Sequence, residues 1–319
     1  ITTIAGNGRD TFLGDTETET ATAASLYDVV SVAIDRKSGS LIVGDSHRVY
    51  RIDLAKPAPT IWRVAGRNPR EDPPASPAFR TPLEQPHRLA FSLDGDLHFS
   101  DGLRNKVYRL GSCPDGDSTS CLVHVVAGSG AVDSADWGAN PVVSPLGSAA
   151  GITFSSDGAL FVALEFHGAI ARVARTTGVV GLLATRRRGR DWGRDPDEDL
   201  IDNPSGLARD RDGNIIVADA GRNWVAVFDL ASSQMSIVAG STTGASGCSI
   251  GDGFAVNALL NGPRDVAVDP RDDAIVVSDS GNHRILRIDR SPQPPGPPSI
   301  EVVHGTPDCP SSARPARLP

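Results

Sequence analysis

Residues 263–289 read PRDVAVDPRDDAIVVSDSGNHRILRID. Three short runs, DVAVD, AIVVSD and RILRID, are separated by clusters of Asp, Gly, Asn and Pro. The runs are rich in β-branched residues, and Arg284, Leu286 and Ile288 alternate with Ile285, Arg287 and Asp289. Such runs read as strands, and the Asp-rich cluster 270–274 reads as a tight hairpin turn. A fourth run, IEVVHG (300–305), follows a proline-rich insertion.

The same unit recurs along the chain. First strands read VVSVAID (29–35), PHRLAFS (86–92), AAGITFS (149–155), PSGLARD (204–210) and PRDVAVD (263–269). Second strands are LIVGD (41–45), LHFSD (97–101), LFVAL (160–164), IIVAD (215–219) and IVVSD (275–279). Third strands begin near Arg48, Lys106, Ala169, Trp224 and Arg284, and fourth strands end at Gly66, Gly128, Ala184, Gly240 and Gly305. The first two strands are more continuously apolar than the outer two, as expected for inner strands covered on both faces. Four antiparallel strands repeated in series predict an all-β fold of β-propeller type, in which neighbouring blades bury one another's faces. The predicted blades are 29–66, 86–128, 149–184, 204–240 and 263–305.

Composition fits this expectation. The 319 residues include 33 Gly and 24 Pro, too much punctuation for a helical bundle. No apolar run is long enough for a membrane helix. A formal charge of −8 argues against nucleic acid as a partner, because phosphate binding needs a cationic surface.

The sequence resembles NHL-repeat β-propellers over essentially its whole length, with the long inter-repeat linkers of extracellular and bacterial members. Residues 263–289, with Asn282-His283-Arg284-Ile285, resemble the consensus repeat; Asp45-Ser46-His47-Arg48 and Asp219–Asn223 are degenerate versions. Blade 3 departs, with Leu164-Glu165-Phe166-His167-Gly168 where the others carry Asp. ITTIAG (1–6) looks like one further final strand, and Ala313–Pro319 resembles the approach to another repeat. Ile1, Thr2, Thr3 and Ile4 are therefore expected to form the closing strand of a sixth blade. Its partners would lie in further sequence or in a neighbouring chain, and the ends suggest a window on a longer polypeptide. A five-bladed ring with an accessory strand is the alternative.

Four cysteines allow two natural pairings, Cys113–Cys121 within one linker and Cys248–Cys309 between equivalent linkers. Both together would imply an oxidising compartment, hence a secreted or cell-surface protein.

Propeller ligands bind at the mouth of the central channel, ringed by residues just inside the first strands. His87, Arg88, Ser205, Arg264 and Asp265 are the candidate ligand-binding residues; Arg88, Arg264 and Asp265 suit equally well bridges between blades. The resemblance brings in lyases whose metal is held by histidines from several blades. Here only His87 stands in the ring, too few for a three-ligand site, so neither metal nor other cofactor is expected. The recurrent strand-end Asp residues suit structural bonds to turn amides. Residues 186–200, a basic run followed by an acidic one, offer Trp192 as a docking anchor. These features favour a non-enzymatic extracellular module that binds other proteins or neighbouring copies through blade edges and linkers. The alternative is a secreted lyase or lactone hydrolase working at the channel mouth.

Overall fold

The computed structural model describes residues 2–9, 19–66, 75–111, 121–132, 140–185, 201–251, 253–290 and 298–305. Among the described residues, five sheets follow one another along the chain. Blade 1 holds β1 (Glu19–Thr20), β2 (Ser31–Ile34), β3 (Leu41–Gly44), β4 (Val49–Asp53) and β5 (Thr60–Ala65), in the order β1-β5-β4-β3-β2. Blade 2 holds β6 (Ala75–Pro77), β7 (Pro86–Phe91), β8 (Leu97–Asp101), β9 (Lys106–Leu110) and β10 (Leu122–Ala127), in the order β6-β10-β9-β8-β7. Blade 3 is the four-stranded meander β11 (Ala149–Phe154), β12 (Leu160–Leu164), β13 (Ala169–Val173) and β14 (Val180–Thr185). Blade 4 repeats it with β15 (Pro204–Arg209), β16 (Ile215–Asp219), β17 (Trp224–Asp229) and β18 (Gln234–Ala239). Blade 5 does so with β19 (Pro263–Val268), β20 (Ile275–Asp279), β21 (Arg284–Asp289) and β22 (Ser299–His304). The fold is all-β and of propeller type, with five blades that each contain the four-stranded antiparallel unit.

By internal contacts the chain divides into Ile1–Phe166 with Ala171–Gly181, and His167–Ile170 with Leu182–Pro319. Blades 1 and 2 and most of blade 3 belong to the first unit, blades 4 and 5 to the second.

In the second unit one core lies between blades 4 and 5. Val266, Ile275, Val277, Leu286, Ile288 and Ile300 pack on Ile216, Ala218, Val225 and Val227, with Ala255, Ala258 and Leu260 of the linker. Each fully buried aliphatic side chain of Val or Ile size contributes roughly 1.5–3 kcal/mol. β16 is buried at every position, as its continuously apolar sequence predicts. In the first unit, Ile42, Val49 and Val64 of blade 1 pack with Leu97, Phe99, Tyr108 and Val123 of blade 2.

β1 and β6 come from linkers with no strand signature. Backbone pairing attaches them to the outer strand: Thr20 opposes Thr60, and Pro77 opposes Leu122. Blade 5 has a reduced version, the isolated bridge Phe254–Ser299. The linkers after blades 1, 2 and 4 start at a glycine that needs a positive φ. Gly66, Gly128 and Gly240 sit at φ 99°, 99° and 92°, and their N–H groups donate to Ala78, Pro141 and Ala255.

Gly6 repeats this geometry at φ 95°, donating to Ala21 O at 2.9 Å. Residues 2–6 therefore stand where the end of a fourth strand would stand, yet they form no strand. Thr2, Thr3 and Ile4 are exposed, Ala5 packs against the blade 1 core, and Ile1 lies outside the described residues.

Candidate functional site

The first strands of blades 2, 4 and 5 carry the same irregularity. Register shifts fall between Pro86 and Arg88, between Pro204 and Gly206, and between Pro263 and Asp265. His87, Ser205 and Arg264, all expected at a channel mouth, are therefore the bulge residues. A bulge leaves a residue out of the ladder and re-aims its side chain.

His87 and Arg88 are half-buried in the first unit. Arg88 Nη1 donates to His87 O at 2.8 Å and to Val30 O at 3.4 Å, so its guanidinium ties blade 2 to blade 1. Ser205, Arg264 and Asp265 lie in the second unit. Ser205 is buried and its Oγ has no hydrogen-bond partner among the described residues. Arg264 is exposed, while Asp265 is half-buried and accepts the Val266 N–H through Oδ1 at 3.0 Å. The strands approach closely here: a Cβ on Gly206 would stand 2.6 Å from Asp265 Cα and 2.9 Å from Arg264 O.

The strand-end carboxylates organise the same end of the blades. Asp219 Oδ2 accepts the N–H of Asp202 (2.7 Å), and its Oδ1 accepts those of Asn203 (2.9 Å), Gly221 and Arg222 (both 3.0 Å). Asp101 does the same for Glu84, Gln85 and Arg104. Burial pushes the carboxyls of Asp45, Asp101 and Asp219 above their ordinary value, and the amide donors only partly offset it. In blade 5, Asp279 accepts from Asn261 N, Asn282 Nδ2 and the buried Arg284 Nε at 2.8 Å. Arg284 also donates to the linker carbonyls of Cys248 (2.6 Å) and Leu259 (3.1 Å).

A second repeat position clamps the linkers. Asn105 (φ 53°) and Asn223 (φ 55°) adopt the left-handed conformation that Asn tolerates. Asn105 donates to Gly130 O and accepts from Ser148 N; Asn223 donates to Gly244 O and accepts from Gly262 N. In blades 2 and 4 the link from second to third strand is thus fixed by one Asp and one Asn. In blade 3, buried Leu164 replaces the Asp, Glu165 N donates to Ser148 O, and Glu165 Oε2 accepts from Ser148 Oγ.

These pinned links carry a feature that the sequence reasoning missed. Leu103 in blade 2 and Phe166 in blade 3 are both exposed and occupy the same repeat position. Blades 4 and 5 have Gly221 and Gly281 there, against Asp202 and Asn261. The available signal was a large apolar residue in an otherwise polar link. Trp192, the expected docking anchor, lies outside the described residues.

Neither described cysteine, Cys121 nor Cys248, is a free thiol. Cys113 and Cys309, their expected partners, lie outside the described residues. Among the described residues no group of three or more His, Cys, Asp or Glu could hold a metal ion, and no helix is long and apolar enough to cross a membrane.

The NHL repeat family profile matches residues 202–228 and 260–288, within blades 4 and 5. No curated protein matches the chain. Among solved structures, a chain of a nidogen/laminin complex is 13% identical, with TM-score 0.54 over 82% of this chain and 75% of that one. A catalytically inactive virginiamycin B lyase from Staphylococcus aureus, solved with quinupristin, is 14% identical, with TM-score 0.52 over 94% and 75%. An auxiliary nutrient binding protein from Bacteroides ovatus is 13% identical, with TM-score 0.56 over 90% and 60%. At such identities the likeness is one of fold. With two repeats that match the NHL model and five blades built on one plan, the chain is a β-propeller that carries NHL repeats in blades 4 and 5.

Proposed function

We propose that the chain is an extracellular, non-enzymatic module that binds a protein partner through the strand-link end of blades 2 and 3. The observation that carries this is the exposed pair Leu103 and Phe166 at one repeat position, on links that Asp101, Asn105 and Ser148 hold rigid. Rigid apolar anchors lose little entropy on binding, and burying two of them supplies roughly 3–6 kcal/mol. The fold likeness to a chain of a nidogen/laminin complex is compatible with such a role. The extracellular part rests on the cysteines, with Cys113–Cys121 and Cys248–Cys309 as the proposed pairs.

Two experiments test this. The immobilised chain and the double variant Leu103→Asp/Phe166→Asp are presented to the secreted proteins of the source culture. The native chain retains a partner that the variant loses by at least about 100-fold, with unchanged circular dichroism. Equal retention by both overturns the proposal. Thiol alkylation followed by intact mass labels all four cysteines only after reduction; labelling without reduction overturns the extracellular assignment.

The second reading, a secreted lyase or lactone hydrolase, is supported in the first unit by the bulge position of His87 and separately, in the second, by the buried Ser205 hydroxyl, which has no hydrogen-bond partner among the described residues. Turnover of a lactone that disappears in His87→Ala or Ser205→Ala decides for it.

A further inference from the structure

Glu165, next to Phe166, has a side chain that the fold does not call for. In blades 1 to 4 the residue after the strand-end Asp, or after Leu164 in blade 3, fixes its link through a backbone bond to the preceding linker. Ser46 N–H donates to Tyr27 O, Gly102 to Gln85 O, Glu165 to Ser148 O and Ala220 to Asn203 O. A backbone bond asks for no particular side chain, and blades 1, 2 and 4 fill the position with Ser, Gly and Ala.

Nor does the Glu165 carboxylate stand in for the Asp that blade 3 lacks. Asp101 and Asp219 collect backbone amides. Among the described residues the Glu165 carboxylate accepts a hydroxyl alone, that of Ser148 at 3.2 Å. It is nonetheless held in place. Ser148 N donates in turn to Asn105 Oδ1 at 2.7 Å, and Asn105 N to Gly102 O at 3.4 Å. Glu165 thus stands on a continuous run of hydrogen bonds from the link that carries Phe166 to the link that carries Leu103. All of these residues belong to the first unit.

The carboxylate is also uncompensated. Arg104 is paired with Glu84 at 3.6 Å, whereas Glu165 makes no ion pair among the described residues. Glu165 is half-buried, and water serves its charge while the surface is free. A protein that closes over Phe166 takes that water away, and a desolvated carboxylate without a partner is costly. The partner must therefore bring its own countercharge.

Given the protein-binding role of Leu103 and Phe166, on which this rests, we propose that the partner segment presents a Lys or Arg to Glu165, with apolar side chains on either side of it that meet Leu103 and Phe166. The two apolar anchors supply affinity, and Glu165 supplies selection, because an acidic segment meets like charge at this point. The formal charge of −8 on the whole chain favours the approach of a cationic segment.

A phage-displayed library of random linear peptides, selected on the immobilised full chain and depleted on Leu103→Asp/Phe166→Asp, tests this. The expected peptides carry Lys or Arg between apolar residues. A synthetic peptide of the most enriched sequence is expected to bind Glu165→Gln at least about 10-fold more weakly than the native chain, with the difference narrowing in high salt. Asp212→Asn, which removes an exposed charge from the blade 4 hairpin turn, leaves the affinity within about 2-fold. Glu165→Arg recovers binding when the cation of the peptide is changed to Glu. Circular dichroism verifies that the variants fold. Peptides that depend on Leu103 and Phe166 yet carry no cation, or that bind Glu165→Gln as tightly as the native chain, overturn the proposal and leave the protein-binding reading standing. A selection that yields no peptide dependent on Leu103 and Phe166 overturns both.

Discussion

Asp219→Ala removes the carboxylate that gathers four backbone N–H groups, from Asp202, Asn203, Gly221 and Arg222. Asp219 is completely buried. Leaving a buried donor without an acceptor costs about 1–3 kcal/mol. Water entering the space vacated by the carboxyl satisfies some of the donors, so the expected loss is at least about 4 kcal/mol rather than the full sum. Asp219→Asn keeps the Oδ1 acceptor for Asn203, Gly221 and Arg222 and turns an amide NH2 toward the Asp202 N–H. Its expected cost is about 2 kcal/mol, one lost charge-assisted bond with a donor facing a donor. Urea unfolding followed by circular dichroism measures both as a lower midpoint at unchanged slope. The pH dependence adds a signature. Because burial raises the Asp219 carboxyl above 3.8, the folded chain holds this proton more tightly than the unfolded chain does. That contribution to stability is present below 3.8 and is lost as pH rises through the raised value, and Asp219→Asn abolishes this slope. Blade 3 supplies a control. Leu164 occupies the same position without the amide fan, so Leu164→Asp is expected to destabilise by several kcal/mol, as an unmatched buried carboxylate does. A cost below about 1 kcal/mol for Asp219→Ala, or tolerance of Leu164→Asp, would refute the assignment of the amide fan as the device that fixes these links.

Three further outcomes follow from the geometry. His98 is buried beside Phe154, with its Nδ1 3.1 Å from Asp96 O, and burial lowers its pKa from 6.5 to about 4. The unfolded chain then binds the proton first as pH falls from 6.5 to 4, so stability on the order of 3 kcal/mol is lost across that window; His98→Gln should flatten the loss in acid-titrated urea unfolding. Arg284→Leu strips Asp279 of its buried cation and leaves the carbonyls of Cys248 and Leu259 unpaired, which predicts a loss of about 3–5 kcal/mol in the same assay. Gly206→Ala sets a methyl 2.6 Å from Asp265 Cα, and the backbone shift it forces is expected to cost about 1–3 kcal/mol and raise hydrogen exchange in β15 and β19.

The repeat was legible because blade strands advertise themselves. IIVAD and IVVSD open on three apolar residues since both faces are covered, and the Asp at their end recurs because blades 1, 2, 4 and 5 each use one carboxylate to fix one link. The fifth strands of blades 1 and 2 left no such trace. Glu19–Thr20 and Ala75–Pro77 attach through backbone hydrogen bonds at a sheet edge, which demand no particular side chain. ITTIAG looked like a strand because it copies the end of a fourth strand. It keeps the glycine geometry of Gly66 and Gly240, but lacks a third strand to pair with among the described residues. His87, Ser205 and Arg264 were found by aligning repeats, although the bulge that sets them apart depends on strand register. Leu103 and Phe166 were passed over because a single exposed apolar residue is common, and only its recurrence on two pinned links gives it meaning.

The central functional claim is that the Leu103–Phe166 end of the first unit is a protein-binding surface. The most direct measurement places a photo-cross-linking residue at Leu103, and for comparison at Ser38 in the hairpin turn at the opposite end of blade 1, in the chain produced by its native source. The account predicts a discrete protein adduct from Leu103 and none from Ser38. Adducts from Ser38 alone, or from neither position while the chain turns over a lactone, would contradict it.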